Sequence, residues 1–441
     1  MTKTYQFQVN QTLTQKKRWL NWLPTIAWLP FVLVIGSIVI PPVIKAGYWG
    51  RWIGLIILLI YGFFNLFIPG KWRLNRFDNF AFIILLIITI STVYADIDGA
   101  LYATDFYETG VFKAFSILVT YLSLTWGLQS LLNSFDNAIT IIKNLVITAT
   151  IIYTVGLVGN LSGLIPPSLG AYSGIFFNPN TTAALGVVVL PLSIWLSFQQ
   201  KHWGILRFFP IFIIFIPIIL SGARTALFAT GMLIIYNLIC RSRYKGWGIM
   251  SVYTSFAIVT SILLILSIDF WESPQFAKLY EGVTTSRSAG ITSFRFNLLW
   301  PLFIKEIFSS PFAALFGHGW GSEEAFLKFQ GMQNDFFQRW SLGTAHSAYV
   351  GLTYQIGIIG SLLTFVPLWS LVVSYIHKSS LATSKPEFEF RLALHSALLA
   401  ELCVCFFETG FYNIGATHAF LGWLVVYILV KLDDLLLKQA R

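Results

Sequence analysis

The sequence predicts an all-α polytopic membrane protein, and three observations carry that expectation. The 441 residues are 56% hydrophobic and only 11% charged, with mean hydropathy +0.71, whereas soluble domains carry about 25% charged residues. Apolar runs recur along the chain, each long enough to cross about 30 Å of hydrocarbon. The runs are continuous rather than the short alternating segments of a β-barrel, and in lipid a continuous run satisfies its own backbone only as a helix. About 12 spans are expected, at roughly 23–42, 52–68, 80–95, 111–131, 138–159, 182–198, 205–220, 224–240, 248–268, 347–376, 391–411 and 416–432.

The basic residues orient these spans. With a cytoplasmic N-terminus, inside segments hold 18 of the 29 Lys and Arg, from Lys3, Lys16, Lys17 and Arg18 to Arg241, Arg243, Lys245, Lys378, Lys385 and Arg391. The short outside turns hold only Lys45, Arg51, Lys113 and Arg224. That asymmetry is the positive-inside pattern, and it accounts for the net charge of +10 without nucleic acid. Both termini are then cytoplasmic. The first apolar stretch follows Lys16-Lys17-Arg18 and runs on through Pro41-Pro42 with no small-residue cleavage site, so a retained helix is expected. The chain divides into an N-terminal bundle of about nine spans (1–268), one long outside loop (269–346) and about three C-terminal spans (347–441).

Candidate chemistry gathers on the outer side. His346, in Thr344-Ala345-His346-Ser347, stands where the long loop meets the tenth span. An imidazole there can take a proton from a hydroxyl. Arg224, in Leu220-Ser-Gly-Ala-Arg224-Thr-Ala-Leu227, joins two apolar runs so tightly that its guanidinium lies at or just under the surface. A charge at that depth needs a partner, with snorkelling to headgroups as the plain alternative. Arg287 and Arg295 flank a small polar segment of the loop, and with Arg224 they can clamp a diphosphate, because a guanidinium fork matches phosphate oxygens at two points.

Other features are weaker. Asn178-Pro179-Asn180 is a turn and helix-entry signal that also offers amides to sugar hydroxyls, and Tyr349 is a further candidate glycan or acceptor contact. Gly317-His318-Gly319-Trp320-Gly321 has the look of a phosphate cradle, but no strand precedes it, so a tight turn is expected. Residues 294–308 predict an interfacial helix with Arg295, Leu299, Leu302 and Glu306 on one face, interrupted by Pro301. Asp96 and Asp98 read as solvated acids rather than a metal pair. Glu401 and Glu408, seven apart on the eleventh span, are unusual intramembrane acids, expected to pair with an arginine or to face a wet cavity. Cys240, Cys403 and Cys405 read as packing residues, and no metal or cofactor is expected. No internal repeat is apparent, and no span signals a mid-membrane break.

Taken together these motifs resemble the O-antigen ligase and O-antigen polymerase superfamily. His346-Ser347, nine residues, Gly357, two residues, Gly360 is similar to that family's signature after its large loop, although the asparagine that often follows the histidine is Ser347 here. Ser221-Gly-Ala-Arg224, Arg287, Ser293-Phe-Arg295, Trp300, Pro311, Gly317-x-Gly319-x-Gly321 and Phe177-Asn-Pro-Asn180 are similar to its other motifs in order and spacing. The resemblance implies a bacterial inner-membrane enzyme whose periplasmic loop, 269–346, contains short helices. It implies metal-independent, inverting transfer of a glycan from a polyprenyl (undecaprenyl) diphosphate donor to an acceptor hydroxyl. In that scheme His346 is the base and Arg224, Arg287 and Arg295 hold the diphosphate. The acceptor is lipid A–core for a ligase and a growing glycan for a polymerase, and the ligase reading is preferred. A small-anion transporter is the rival class.

Overall fold

The computed structural model describes residues 19–29, 44–67, 76–94, 110–165, 172–176, 178–245, 295, 299–330, 344–382, 384–412 and 417–439. Among them every regular element is helical: α1 (Ile44–Leu66), α2 (Arg76–Tyr94), α3 (Gly110–Gln129), α4 (Phe135–Leu161), α5 (Pro179–Gln199), α6 (Phe209–Leu220), α7 (Arg224–Lys245), α8 (Trp300–Ile307), α9 (Pro311–Phe316), α10 (Glu323–Phe329), α11 (Ala348–Lys378), α12 (Lys385–Val404) and α13 (Thr417–Gln439). Helices stand at every expected span except the first, described only over 23–29, and the ninth, 248–268, which lies outside the described residues. Among the described residues five segments are long and apolar enough to cross a membrane: Phe135–Leu161, Pro179–Gln199, His202–Leu220, Arg224–Tyr244 and Ala348–Leu381.

Local signals start these helices. Ser134, Asn178, Ser310 and Ser384 each accept a backbone N–H from the first turn of α4, α5, α9 and α12, and a proline stands in the first turn of the last three. Such caps fill donors that a helix start leaves unpaired. Pro301 likewise lies in the first turn of α8. Residues 294 and 296–298, where the expected interruption would begin, lie outside the described residues. The buried face of α8 is Leu299, Phe303 and Ile307, with Glu306 off it.

Two helices form the centre. Nearly every residue of α12 from Phe390 to Val404 is buried, and α12 packs on α5, α7, α11 and α13. The α5 segment is buried over 83% of its most apolar window, against 17% for the segment that includes α6. Lipid supplies no hydrophobic force between helices, so close approach and shared hydrogen bonds must hold them. Ala183, Ala184 and Gly186 on α5 and Ala393, Ala397 and Ala400 on α12 provide the small surfaces. Asn237 Nδ2 donates to Ser396 Oγ at 3.0 Å, and Tyr236 donates to the Val372 carbonyl at 3.0 Å.

Helix α11 is broken. Gly357 has φ +72° and ψ 176°, so the segment 348–356 is a half-helix set against the rest. A break frees carbonyls that lipid cannot satisfy. Here the Tyr354 and Gln355 carbonyls accept the N–H groups of His318 (2.8 Å) and Gly319 (3.0 Å), and Ser91 donates to the Gln355 carbonyl at 2.6 Å. Gly321 N–H donates to the Gln355 side chain at 2.7 Å. Gly317, Gly319 and Gly321 all have positive φ, as a tight turn requires, so the glycine segment is a splint for the break. A Cβ on Gly357 would lie 2.1 Å from the Leu315 carbonyl oxygen. The sequence reading that no span is broken is thereby corrected: a glycine inside an apolar run reads as a tolerated packing residue until its φ is known.

Candidate functional site

Five chain segments converge at one end of the bundle. The first turn of α5 brings Asn180, the approach to α8 brings Arg295, the start of α11 brings His346, and the turn after α12 brings Glu408. The fifth is the head of α13, which carries His418. Expectation placed Glu408 on the eleventh span. The structure ends that helix at Val404 and puts Glu408 in the turn beyond it, so it no longer shares a helical face with Glu401. The turn is tied directly to the half-helix: Ala348 N–H donates to the carbonyls of Cys405 (2.8 Å) and Glu408 (2.9 Å).

Glu408 is the hub. Asn180 Nδ2 donates to its Oε1 at 3.0 Å, and Arg295 Nη2 lies 3.3 Å from the same oxygen. His346 Nδ1 lies 3.9 Å from Oε2, an electrostatic contact longer than a hydrogen bond. Burial alone would raise the Glu408 carboxyl, but the neighbouring His346 imidazole and Arg295 guanidinium outweigh it and hold it down at about 2. The carboxylate is therefore charged, in a setting where its side chain is only 14% exposed.

His346 is held in an unusual state. It is the only non-glycine with positive φ (+49°) among the described residues. Neither ring nitrogen has a hydrogen-bond partner there, and Arg295 Nε is likewise buried without one. Buried polar atoms are paired in the great majority of cases, and a strained φ persists only where the surroundings impose it. Both departures fall on the same few residues. They mark a place where a ligand hydroxyl or anion would complete the hydrogen bonding.

The supporting shell is closely packed. Trp300 donates to the Ala345 carbonyl at 3.0 Å and stacks on Phe407 at 6.0 Å, fixing both sides of the cluster. Beneath lies a second acid–imidazole pair, His418 Nδ1 and Glu401 Oε1 at 2.9 Å, both buried. The fold thus brings His418, at the head of α13, to the floor of the cluster.

The expected site residues divide clearly. His346, Arg295 and Asn180 come together. Arg224 is the exposed first residue of α7, and Phe228, four residues on and hence on the same face, reaches Phe407 at 6.5 Å. Arg287 lies outside the described residues, as do Asp96, Asp98 and Phe177. Asn178 serves as the α5 cap, its Oδ1 accepting Asn180 N–H at 2.9 Å. The Tyr349 hydroxyl donates to the Leu402 carbonyl at 3.1 Å and accepts from Trp369 at 2.9 Å, which makes it a brace between α11 and α12. Sequence reading expected Glu408 to pair with an arginine or face a wet cavity, and the structure pairs it with Arg295; its contacts with Asn180 and His346 were not foreseen. Among the described residues no group of three or more His, Cys, Asp or Glu is placed to hold a metal ion.

No family model matches this chain, and no curated protein does.

Proposed function

We propose that this protein is a membrane glycosyltransferase that moves a glycan from a polyprenyl diphosphate to an acceptor hydroxyl. One observation carries the proposal: an imidazole with both nitrogens unpaired stands beside a charged carboxylate that a buried arginine also contacts. The acceptor O–H loses its proton to His346 as its oxygen bonds to the anomeric carbon, and the bond from that carbon to the diphosphate breaks. Glu408 stabilises the imidazolium that forms. Arg295, with Arg224 and Arg287, neutralises the departing diphosphate. The topology that goes with this chemistry has about 12 spans, cytoplasmic termini, an inner-membrane location and 269–346 in the periplasm. The preferred acceptor is lipid A–core, as for an O-antigen ligase; joining of repeat units, as for a polymerase, is the alternative.

The break in α11 favours a second reading, a small-anion transporter, since transporters use broken helices at their binding sites. Against it, the carbonyls freed by the break are bonded to protein donors and do not coordinate cargo. Deletion of the gene distinguishes the readings. Surface glycan lost with long lipid-linked polymer accumulating is the ligase result, and single capped repeats are the polymerase result. Normal surface glycan overturns both.

A further inference from the structure

The left-handed backbone at His346 needs something to impose it, and the loop's own contacts are too few. His346 N–H reaches Thr344 Oγ1 only at 3.4 Å. The segment just before it is gripped from below. Ala345 N–H donates to Glu323 Oε1 at 3.3 Å, and the Tyr412 hydroxyl lies 3.0 Å from both oxygens of the same carboxylate. Glu323 is 3% exposed. It stands at the start of α10, immediately after the glycine segment that splints the α11 break. Gly351, one turn into the half-helix, lies so close that a Cβ there would sit 2.1 Å from Glu323 Oε1 and 2.4 Å from the Tyr412 hydroxyl oxygen. One carboxylate thus joins the His346 loop, the half-helix and the 3₁₀ turn Gly410–Tyr412 that follows the Glu408 turn.

We propose that Glu323 is the positioning residue of this site: it holds the Ala345–His346 peptide so that the imidazole faces Glu408 and Arg295. Glu323 acts through the loop backbone, at the Ala345 N–H. The acceptor oxygens do the holding. Buried acceptor oxygens that take a backbone N–H and a phenol make bonds that a loop cannot replace from within itself. Gly351 is required because the half-helix must pass against that carboxylate, and Tyr412 fixes the carboxylate's own orientation. The inference rests on the proposed reading for its kinetic consequences, but its structural claim stands apart from any activity.

The test uses full-length protein in detergent or nanodiscs, comparing wild type, Glu323→Gln, Glu323→Ala and Tyr412→Phe. The first measurement is amide hydrogen exchange over 344–348. Glu323→Ala should speed exchange there by tenfold or more with α5 and α12 still protected, and Tyr412→Phe should do so to a lesser degree. Glu323→Gln keeps an acceptor oxygen for Ala345 and should stay near wild type. The second measurement is transfer from a polyprenyl-diphosphate glycan: Glu323→Ala should lower kcat about 100-fold with the donor KM unchanged, and Glu323→Gln should recover most of it. Unchanged exchange at 344–348 in both Glu323→Ala and Tyr412→Phe overturns the proposal. Glu323→Gln as poor as Glu323→Ala in both measurements also overturns it, since charge and not acceptor geometry would then matter. Faster exchange over 344–348 in Glu323→Ala, with a wild type that transfers no glycan, upholds the positioning role and removes the proposed function alone.

Discussion

The two ends of the helix bundle handle charge in opposite ways. At the end formed by the last turns of α7 and α11 and the first turns of α12, three cations are matched to anions, although Arg207 Nε in the turn after α5 is buried without a partner. Arg241 bonds both oxygens of Glu389 at 2.6 Å, Arg391 pairs with Asp433 and sits 3.9 Å from Glu387, and Lys378 lies 4.0 Å from Asp433. At the other end, one carboxylate is shared by Arg295, Asn180 and His346, while three nitrogens of the arginine and the histidine remain without a partner among the described residues. The matched end has no strained non-glycine backbone and the mismatched end has the only one among the described residues. Matched charges anchor a membrane protein's orientation. Mismatched ones are retained where a ligand supplies the missing bonds.

The comparison breaks first at His346. Replacing a general base lowers rate by about 10²–10⁴, so His346→Ala should lose turnover on that scale while still binding donor and purifying normally. Arg224→Lys should lose most activity too, because an ammonium cannot reproduce two-point contact with phosphate. Normal turnover in His346→Ala would make the unpaired imidazole a packing feature and erase the contrast between the ends.

A smaller effect concerns acid. The Glu408 carboxyl is depressed from its ordinary 4.5 to about 2. A depressed carboxyl contributes stability that is full above the ordinary value and is lost as pH falls from there toward 2. Thermal unfolding of wild type followed from pH 6 down should therefore show a loss of Tm below about 4.5. Glu408→Gln should start lower at pH 6 and lack that component. Parallel curves for the two proteins would show that Glu408 is not held by its neighbours.

The smallest effect belongs to the matched end. Arg241 is 37% exposed, and surface ion pairs contribute roughly 0.2–1 kcal/mol. Arg241→Gln should shift Tm by a degree or two at most and leave turnover unchanged. A loss of turnover comparable to His346→Ala would mean that the two ends are coupled, contrary to the separation drawn here.

Much of this was present in the residues taken singly. The apolar runs dictate helices because backbone groups in lipid have no other partner, and the Ser and Asn caps with their prolines set where α4, α5, α9 and α12 begin. The Lys and Arg pattern separates the ends, because it acts through charge and needs no fold. His346 and Arg295 were legible as chemistry-bearing residues at loop–helix junctions. That Glu408 would be shared by both was not. Glu408 lies 62 positions from His346 and 113 from Arg295 in the chain, and no local pattern says that a helix ends at Val404 so that a turn can carry a carboxylate under both. The break at Gly357 is equally silent in sequence, because glycine fits a continuous helix and a broken one. Only packing decided it: the Leu315 carbonyl lies where a side chain on Gly357 would stand, and the N–H groups of His318 and Gly319 bond the Tyr354 and Gln355 carbonyls. Sequence determined which segments are helical. Tertiary structure decided which charges go unpaired, because pairing depends on distances that only the folded chain sets.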